Sequence, residues 1–215
     1  MPELDDIAAL AALNDSIRDL IEAARTLDAP DDVVKRVTAA IDAVVDDLRP
    51  HLYTGPYQQA QLRAPADGRR ELLGEEPAEF FPYSPVVGPL NPLAPPVTMH
   101  FDGERLHGEV TFGAPYNGPP SMVHGGIIAL TFDELLGALN VMHDLGGFTG
   151  TLSVRYERPT PLGKPIEMSA WIDRIDGRKV YPVGELRHDG VVTARAEGIF
   201  IRSELLPQRA HDAGT

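Results

Sequence analysis

The chain has 215 residues, of which 43% are hydrophobic, and this suits one globular domain of good size plus an extension. Its formal net charge of −13 argues against a broad nucleic-acid-binding surface, and the lack of cysteine excludes disulfides and thiolate zinc sites. Residues 1–6 carry no basic-then-apolar signal, and no uninterrupted run of about 18 apolar residues occurs. We therefore expect no membrane span and a cytoplasmic location.

Two helices are predicted near the N-terminus. Apolar residues recur at helical spacing over residues 4–26 and again over 32–52, and Asp28–Asp31 interrupts the pattern. We interpret residues 1–52 as an antiparallel helical hairpin. Acidic residues outnumber basic residues in it, which is typical of a solvated element used for packing or oligomerisation.

Residues 53–96 form a proline-dense segment that is predicted to be loop-like. Its second half, residues 80–96, is nevertheless rich in aromatic and aliphatic side chains. The prolines exclude a helix or an inner strand there. We expect this stretch either to cover the hydrophobic core or to contact a substrate.

From residue 97 the apolar pattern changes to the period of two that is typical of strands. Asp-Gly pairs that begin at residues 102, 176 and 189 predict tight turns between strands. The last strand places small residues on one face, which leaves room for a helix, and residues 204–215 are predicted to be a flexible tail. The predicted strands are Val97–Phe101, Arg105–Phe112, Thr149–Arg158, Ile166–Ile175, Val180–Arg187 and Val191–Ile201.

A long helix is predicted between the second and third strands. It follows His124, Gly125 and Gly126, and from residue 127 to 142 it is apolar on nearly every side, so we expect the fold to wrap around it. Its charged residues are Asp133 and Glu134, and a buried carboxylate costs several kcal/mol unless something offsets it. An antiparallel sheet curved around one helix predicts an α+β hotdog fold over residues 97–203.

The motif that precedes this helix carries a family resemblance. Residues 116–126, with Asp133 nine positions after His124, resemble the PaaI-like hotdog acyl-CoA thioesterases of the 4-hydroxybenzoyl-CoA thioesterase superfamily. The strand over residues 149–162 resembles the next strand of that family, and residues 91–96 are similar to the lead-in of its actinobacterial members. The resemblance covers about residues 80–202.

The resemblance implies a set of catalytic roles. Asp133 matches the family's catalytic carboxylate, which acts as a general base or a nucleophile, and Gly125 matches the residue whose backbone N–H polarises the thioester carbonyl. His124 matches the motif histidine that shapes the site, and Thr149 falls where the family places a hydroxyl residue that orients the attacking water. Asn117 matches only approximately the acid or amide that many relatives carry before the motif.

Other residues are candidates for substrate binding. Gly126 adds to the exposed amides at the helix start, and aromatic residues that include Phe132 suggest an apolar acyl pocket. Coenzyme A is anionic, so a local basic patch is expected on this acidic chain. The candidate substrate-binding residues are Asn117, Gly126, Phe132, Arg155 and Arg158. The histidines lack ligand spacing, so we expect no metal and no cofactor.

The length of the predicted helix requires a second copy of the chain. Gly125 and Asp133 are eight residues apart, roughly 12 Å along a helix. A thioester carbon has to lie within about 3–3.5 Å of its nucleophile. One helix therefore cannot bring both groups to one carbonyl, whereas an antiparallel second copy can. We expect a homodimer, or a dimer of dimers, with Gly125 and Asp133 of each site on different subunits.

Several alternatives stay open at this point. Asp133 could pair with Arg155 as a structural acid, Glu134 is expected to form a structural ion pair, and His124 could merely cap the helix. Thr149 could be an ordinary strand threonine. At the level of function, the alternatives are a non-catalytic acyl-CoA or lipid-binding hotdog protein and a hotdog hydratase or dehydratase.

Overall fold

The computed structural model describes residues 7–60, 62–63, 71–72, 75–203 and 208–209. The helices are α1 (Ile7–Arg25), α2 (Asp31–Leu48), α3 (Pro77–Phe80) and α4 (Gly125–Met142), with 3₁₀ turns at Arg49–His51 and Ala114–Tyr116. The strands are β1 (Leu62–Arg63), β2 (Glu71–Leu72), β3 (Val97–Phe101), β4 (Leu106–Thr111), β5 (Gly147–Tyr156), β6 (Pro165–Asp176), β7 (Lys179–His188), β8 (Val191–Arg202) and β9 (Gln208–Arg209).

Six strands form one antiparallel sheet in the order β3-β4-β6-β7-β8-β5. All six predicted strands are confirmed, with ends that shift by a few residues. The Asp-Gly turns are confirmed as well, because Gly103, Gly177 and Gly190 have φ angles of 102°, 56° and 74°. Glycine adopts such angles without the steric cost that other residues incur. In this order β5 is an edge strand, which leaves one side of its backbone without a neighbouring strand of the sheet.

Helix α4 packs on the face of this sheet that carries the hydrophobic core. Phe132, Leu135, Leu136 and Leu139 of α4 are fully buried in that core. A Cβ atom on Gly184 of β7 or Gly198 of β8 would lie 3.2 or 3.3 Å from the Leu136 side chain. Small residues on these strands therefore let the helix approach closely, as predicted for the last strand. A curved antiparallel sheet around one central helix is the hotdog arrangement.

Helix α4 also has the length and apolar composition of a membrane-spanning helix. Length and composition are weak indicators, because the core helix of a folded domain has the same properties. Half of α4 is buried inside the protein. We therefore describe α4 as the core helix of the domain.

The segment of residues 80–96, here named the cover segment, lies over the hydrophobic core. This is the first of the two arrangements that the sequence predicted for it. Phe80, Val86, Val87 and Leu90 are buried. The segment touches α4 where the hydroxyl of Ser84 donates a hydrogen bond to the carboxyl group of Glu134. The region predicted as loop also contains the short elements β1, β2 and α3.

The two N-terminal helices differ in how they are attached. Helix α1 is held by long-range hydrogen bonds: Arg18 Nη1 donates to the Asn91 carbonyl at 3.0 Å, and Glu22 Oε1 accepts from the Ala114 N–H at 3.1 Å. Helix α2 has no buried residue, and the two helices make few contacts with each other. Of the predicted tail, residues 204–207 and 210–215 lie outside the described residues, and β9 pairs parallel with β2.

Candidate active site

The start of α4 offers one free hydrogen-bond donor. His124 is the N-cap residue: its Nδ1 accepts from the Gly126 N–H at 3.0 Å, and its carbonyl accepts from the N–H groups of Ile127 and Ile128. Within the described part of the chain, the N–H of Gly125 has no acceptor. A helix N-terminus also carries a partial positive charge. The Gly125 N–H is thus available to an incoming carbonyl oxygen, whereas that of Gly126 is occupied by the cap.

Hydrogen bonds between residues of the loop that precedes α4 hold the shape of this loop. The Tyr116 carbonyl accepts from the His124 N–H at 2.9 Å, and the amide of Asn117 donates to the carbonyls of Pro119 and Met122. A Cβ on Gly118 would lie 2.7 Å from the His124 Cα, so this position requires glycine. Asn117 is a predicted substrate contact, but the hydrogen bonds that its amide group donates hold the loop closed.

Tyr156, at the end of β5, is a site residue that the sequence analysis placed only in a strand. Its hydroxyl donates to the Gly125 carbonyl at 2.8 Å, and its ring lies 3.4 Å from where a Cβ on Gly125 would stand. Tyr156 thus fixes the orientation of the Gly125 peptide. The contact joins residues 31 positions apart, and no local pattern reveals such a pairing.

A cavity of about 360 Å³ opens beside Gly125. This volume lies within the range of small-molecule sites, about 300–1,000 Å³. Its lining is mainly apolar, and the predicted contact Arg158 belongs to it, whereas Phe132 and Arg155 do not. Phe132 is instead fully buried in the core. The lining residues are Pro119, Met122, Val123, Gly125, Ile128, Tyr156, Glu157, Arg158, Pro159 and Thr160.

Asp133 and Thr149 meet at the middle of α4. The Thr149 hydroxyl donates to Asp133 Oδ1 at 2.8 Å, which orients the carboxylate, and Oδ2 has no hydrogen-bond partner among the described residues. No lysine or arginine of the described ranges lies within 4 Å of Asp133. The alternative in which Asp133 pairs with Arg155 therefore does not occur in this chain.

The prediction that Glu134 forms a structural ion pair is wrong. In the part of the chain that is described, no cation contacts this carboxyl group, and its Oε1 atom is buried without a partner. Burial raises the pKa of Glu134 to about 7, the Ser84 hydrogen bond opposes the rise, and the charge of Asp133 adds to it. Burial under the cover segment thus favours the neutral acid, and a neutral acid needs no cation.

The free donor at Gly125 and the free carboxylate lie apart along α4, and the carboxylate lies on an exposed stripe that begins at the neighbouring Gly126. Gly126, Leu130, Asp133 and Gly137 follow each other at helical spacing, and all four retain solvent exposure. Leu130 is 40% exposed, which is unusual for an aliphatic residue of a core helix. Asp133 does not line the cavity beside Gly125. Helix α4 is therefore not wrapped on every side, contrary to the prediction, because the stripe beside edge strand β5 stays open.

The described residues contain no cluster of three or more histidine, aspartate or glutamate side chains that could hold a metal ion.

Comparisons with known proteins place the chain in a family. No family model matches it. A crystal structure of a thioesterase superfamily protein is 31% identical in sequence and superposes with a TM-score of 0.76, over 91% of this chain and 96% of that one. Acyl-coenzyme A thioesterase THEM4 of Xenopus laevis is 36% identical over 91 residues, which is 41% of each chain. Acyl-coenzyme A thioesterase THEM5 of Homo sapiens is 28% identical over 95 residues, 43% of this chain and 38% of the relative.

The chain spans about two fifths of the length of these curated relatives. The solved structure, in contrast, matches 91% of this chain. The fold, the motif before α4 and this match agree, and the chain belongs to the thioesterase superfamily and has a hotdog fold.

Proposed function

We propose that the protein hydrolyses an acyl-CoA thioester to the free acid and coenzyme A. The observation that carries this proposal is the free N–H of Gly125 beside a mainly apolar cavity, on a helix whose exposed stripe also presents Asp133. Thioester hydrolysis needs a donor for the developing oxyanion and a carboxylate that attacks or activates water. The matched regions of the THEM4 and THEM5 relatives, which are named acyl-CoA thioesterases, support the same reaction.

The reaction begins when the thioester carbonyl oxygen accepts a hydrogen bond from Gly125. Asp133 then either removes a proton from water, whose oxygen attacks the carbonyl carbon, or attacks that carbon itself. Negative charge develops on the carbonyl oxygen, where the Gly125 N–H and the helix dipole stabilise it. When the carbon–sulfur bond breaks, the coenzyme A thiolate leaves. In the first route it takes up the proton that Asp133 removed from water. In the second route water hydrolyses the mixed anhydride on Asp133, which releases the acid, restores the carboxylate and supplies the proton for the thiolate. Thr149 holds Oδ1 of Asp133, and this directs the free Oδ2 toward the substrate or water.

The contacts of strand β5 indicate how two copies of the chain would share a site. Near its first end Thr149 contacts Asp133, and at its last residue Tyr156 contacts Gly125. If two β5 edges pair antiparallel around a two-fold axis, the Thr149 end of one chain meets the Tyr156 end of the other. This pairing places the carboxylate of each chain near the donor of its partner. It also covers the exposed stripe of α4 and the open edge, which proteins rarely leave bare.

The anionic part of coenzyme A needs cations near the cavity. Arg158 lines the cavity just after the end of β5, and Arg155 lies exposed on β5. Neither guanidinium group forms an ion pair with a described residue. We assign both to binding the nucleotide phosphates, and we keep the prediction of a cytoplasmic homo-oligomer.

The test is release of free thiol from a panel of short, long and aromatic acyl-CoA substrates, with Asp133→Asn as the matched blank. We expect thiol release by the native chain and its near-complete loss in the variant. Binding of acyl-CoA without release would overturn the proposal in favour of a binding protein. Hydration of an enoyl-CoA without thiol release would overturn it in favour of a hydratase. Thiol release that is unchanged in the variant would remove Asp133 from the mechanism.

A further inference from the structure

Helix α1 contacts the chain just before the loop that leads into α4. Glu22 Oε1 accepts a hydrogen bond from the Ala114 N–H at 3.1 Å. Ala114 is the first residue of the 3₁₀ turn Ala114–Tyr116, and among the described elements this turn is the principal contact of α1. Helix α1 is therefore docked on the approach to the candidate active site.

The 3₁₀ turn passes this contact on to the start of α4. The carbonyl of Tyr116, the last residue of the turn, accepts from the His124 N–H at 2.9 Å. His124 caps α4, and its neighbour Gly125 carries the N–H that has no acceptor among the described residues. A short series of hydrogen bonds therefore connects Glu22 with the residue that precedes the free donor.

A second attachment holds the same turn through the cover segment. Arg18 Nη1 donates to the Asn91 carbonyl at 3.0 Å, and the Tyr116 hydroxyl donates to the Leu93 carbonyl at 3.0 Å. Burial raises the pKa of Tyr116, and the charges of Arg18 and Glu22 act on that pKa in opposite directions, so both side chains lie near the ring. Helix α1 thus holds the turn directly and also by way of the cover segment.

Gly113, which precedes the turn, leaves room for the Glu22 carboxylate. A Cβ atom on Gly113 would collide with Glu22 Oε2. The backbone of Gly113 has a φ angle of −81° and a ψ angle of −171°, which other residues adopt freely. Glycine is therefore needed here for space and not for conformation, and the absent side chain lets the carboxylate reach the Ala114 N–H.

We propose that Glu22 of α1 is a positioning residue for the Gly125 N–H. Its hydrogen bond fixes the 3₁₀ turn, and the turn fixes His124 at the start of α4. The proposal rests on the proposed thioester hydrolysis, in which the Gly125 N–H stabilises the oxyanion. A misdirected donor stabilises the transition state less, so loss of the Glu22 contact lowers kcat more than it changes KM. The contact is exposed, so it contributes little to the stability of the fold.

The first test compares two substitutions of Glu22. Glu22→Ala removes the acceptor, and we expect kcat for thiol release to fall about fivefold while KM stays within about twofold. Glu22→Gln retains a side-chain oxygen that accepts from the Ala114 N–H, so it should retain the native kcat. Asp19→Ala, at another exposed acidic residue of α1, is the control for the lost charge and should also retain it. A native kcat in Glu22→Ala, or equal losses in both Glu22 variants, would overturn the proposal.

The second test approaches the same contact from the turn. Gly113→Ala pushes the Glu22 carboxylate away from the Ala114 N–H, so we expect a fall in kcat similar to that of Glu22→Ala. In a chain that already carries Glu22→Ala, the new Cβ meets no carboxylate and should cause no further loss. If the two losses add instead, Gly113→Ala acts independently of Glu22 and the proposed positioning role is wrong.

The third test measures the positioning without a substrate, by hydrogen exchange of the His124 N–H followed by NMR. We expect faster exchange in Glu22→Ala than in the native chain, and native exchange in Glu22→Gln. Exchange that is unchanged in Glu22→Ala would contradict the positioning role. A native chain that releases no thiol would instead contradict the proposed function, so the two failures are distinguishable.

Discussion

The two halves of the candidate site on α4 differ in what each one lacks. At the helix start, Gly125 has a free N–H and a neighbouring cavity, but the one described carboxylate that lines this cavity, Glu157, is paired with Arg195. In the middle, Asp133 has an orienting hydroxyl and a free oxygen but does not line that cavity. Each half has a β5 residue that holds it, Tyr156 for the first and Thr149 for the second. The comparison leads to the proposal that one chain prepares two incomplete sites, and under this proposal activity requires a pair of chains.

The largest effect is expected from removing the carboxylate of the second half. Asp133→Asn keeps the size of the side chain but abolishes its basicity and nucleophilicity, so we expect kcat to fall by about 10² to 10⁴. The measurement is steady-state thiol release. The matched control is Asp176→Asn, an exposed aspartate on β6, which should retain native activity. Equal loss in both variants would show that the comparison of the two halves is mistaken.

The next effect comes from removing the donor of the first half. Gly125→Pro deletes the N–H at the first helical position, where proline is well tolerated, and His124 already has the extended ψ of 133° that proline favours before it. We expect kcat to fall by about 10² to 10³.

Gly125→Ala is the control for this variant, because it retains the N–H and its Cβ makes ordinary contact with Tyr156 at 3.4 Å. We expect its activity to stay within a few-fold of native. If alanine costs as much as proline, the loss comes from the side chain and not from the donor.

A smaller effect is expected at Thr149. Thr149→Val removes the hydrogen bond to Asp133 Oδ1 with little change in shape, so we expect kcat to fall about tenfold. Thr149→Ser retains the hydroxyl and should recover most of the activity. A valine variant with native kcat would assign Thr149 to the strand alone.

The smallest effect concerns stability and not activity. Because the pKa of Glu134 is raised from 4.5 to about 7 in the folded chain, the folded state binds more protons than the unfolded state between these values. The free energy of unfolding should therefore fall as the pH rises through this window, by at most about 1.4 kcal/mol per pH unit.

Glu134→Gln mimics the neutral acid and should remove this part of the pH dependence in denaturant unfolding at pH 4.5 to 7. The exposed Glu109→Gln on β4 serves as the control and should keep the native slope. Identical slopes for the native chain and Glu134→Gln would mean that the buried carboxyl group titrates normally.

Local sequence patterns predicted the elements of this fold well. The alternation of residues 97–201 and the Asp-Gly turns gave the strands, and the apolar run after Gly126 gave α4. The motif also pointed to Gly125, Asp133 and Thr149, and the structure joins the last two by a hydrogen bond. The strands, the turns and α4 depend on neighbours in the chain, which a sequence displays directly, whereas the site residues were expected from the family resemblance.

Contacts between distant residues could not be predicted in this way. The Tyr156–Gly125 bond, the Ser84–Glu134 bond and the docking of α1 through Glu22 join positions 31, 50 and 92 residues apart. Each partner is an ordinary residue in its own segment, so no local pattern marks it. The expected ion pair of Glu134 failed for this reason, because the burial by the cover segment became visible only in three dimensions.

Mixed dimers of Asp133→Asn and Gly125→Pro chains test the shared site most directly. Each parent variant is inactive alone, and the two chains are refolded together at equal amounts. In a shared site, the mixed dimer combines the intact Gly125 of one chain with the intact Asp133 of the other, so we predict recovery of about a quarter of native activity. If the mixture stays as inactive as its parents although mixed dimers have formed, each site lies within one chain and the account is contradicted.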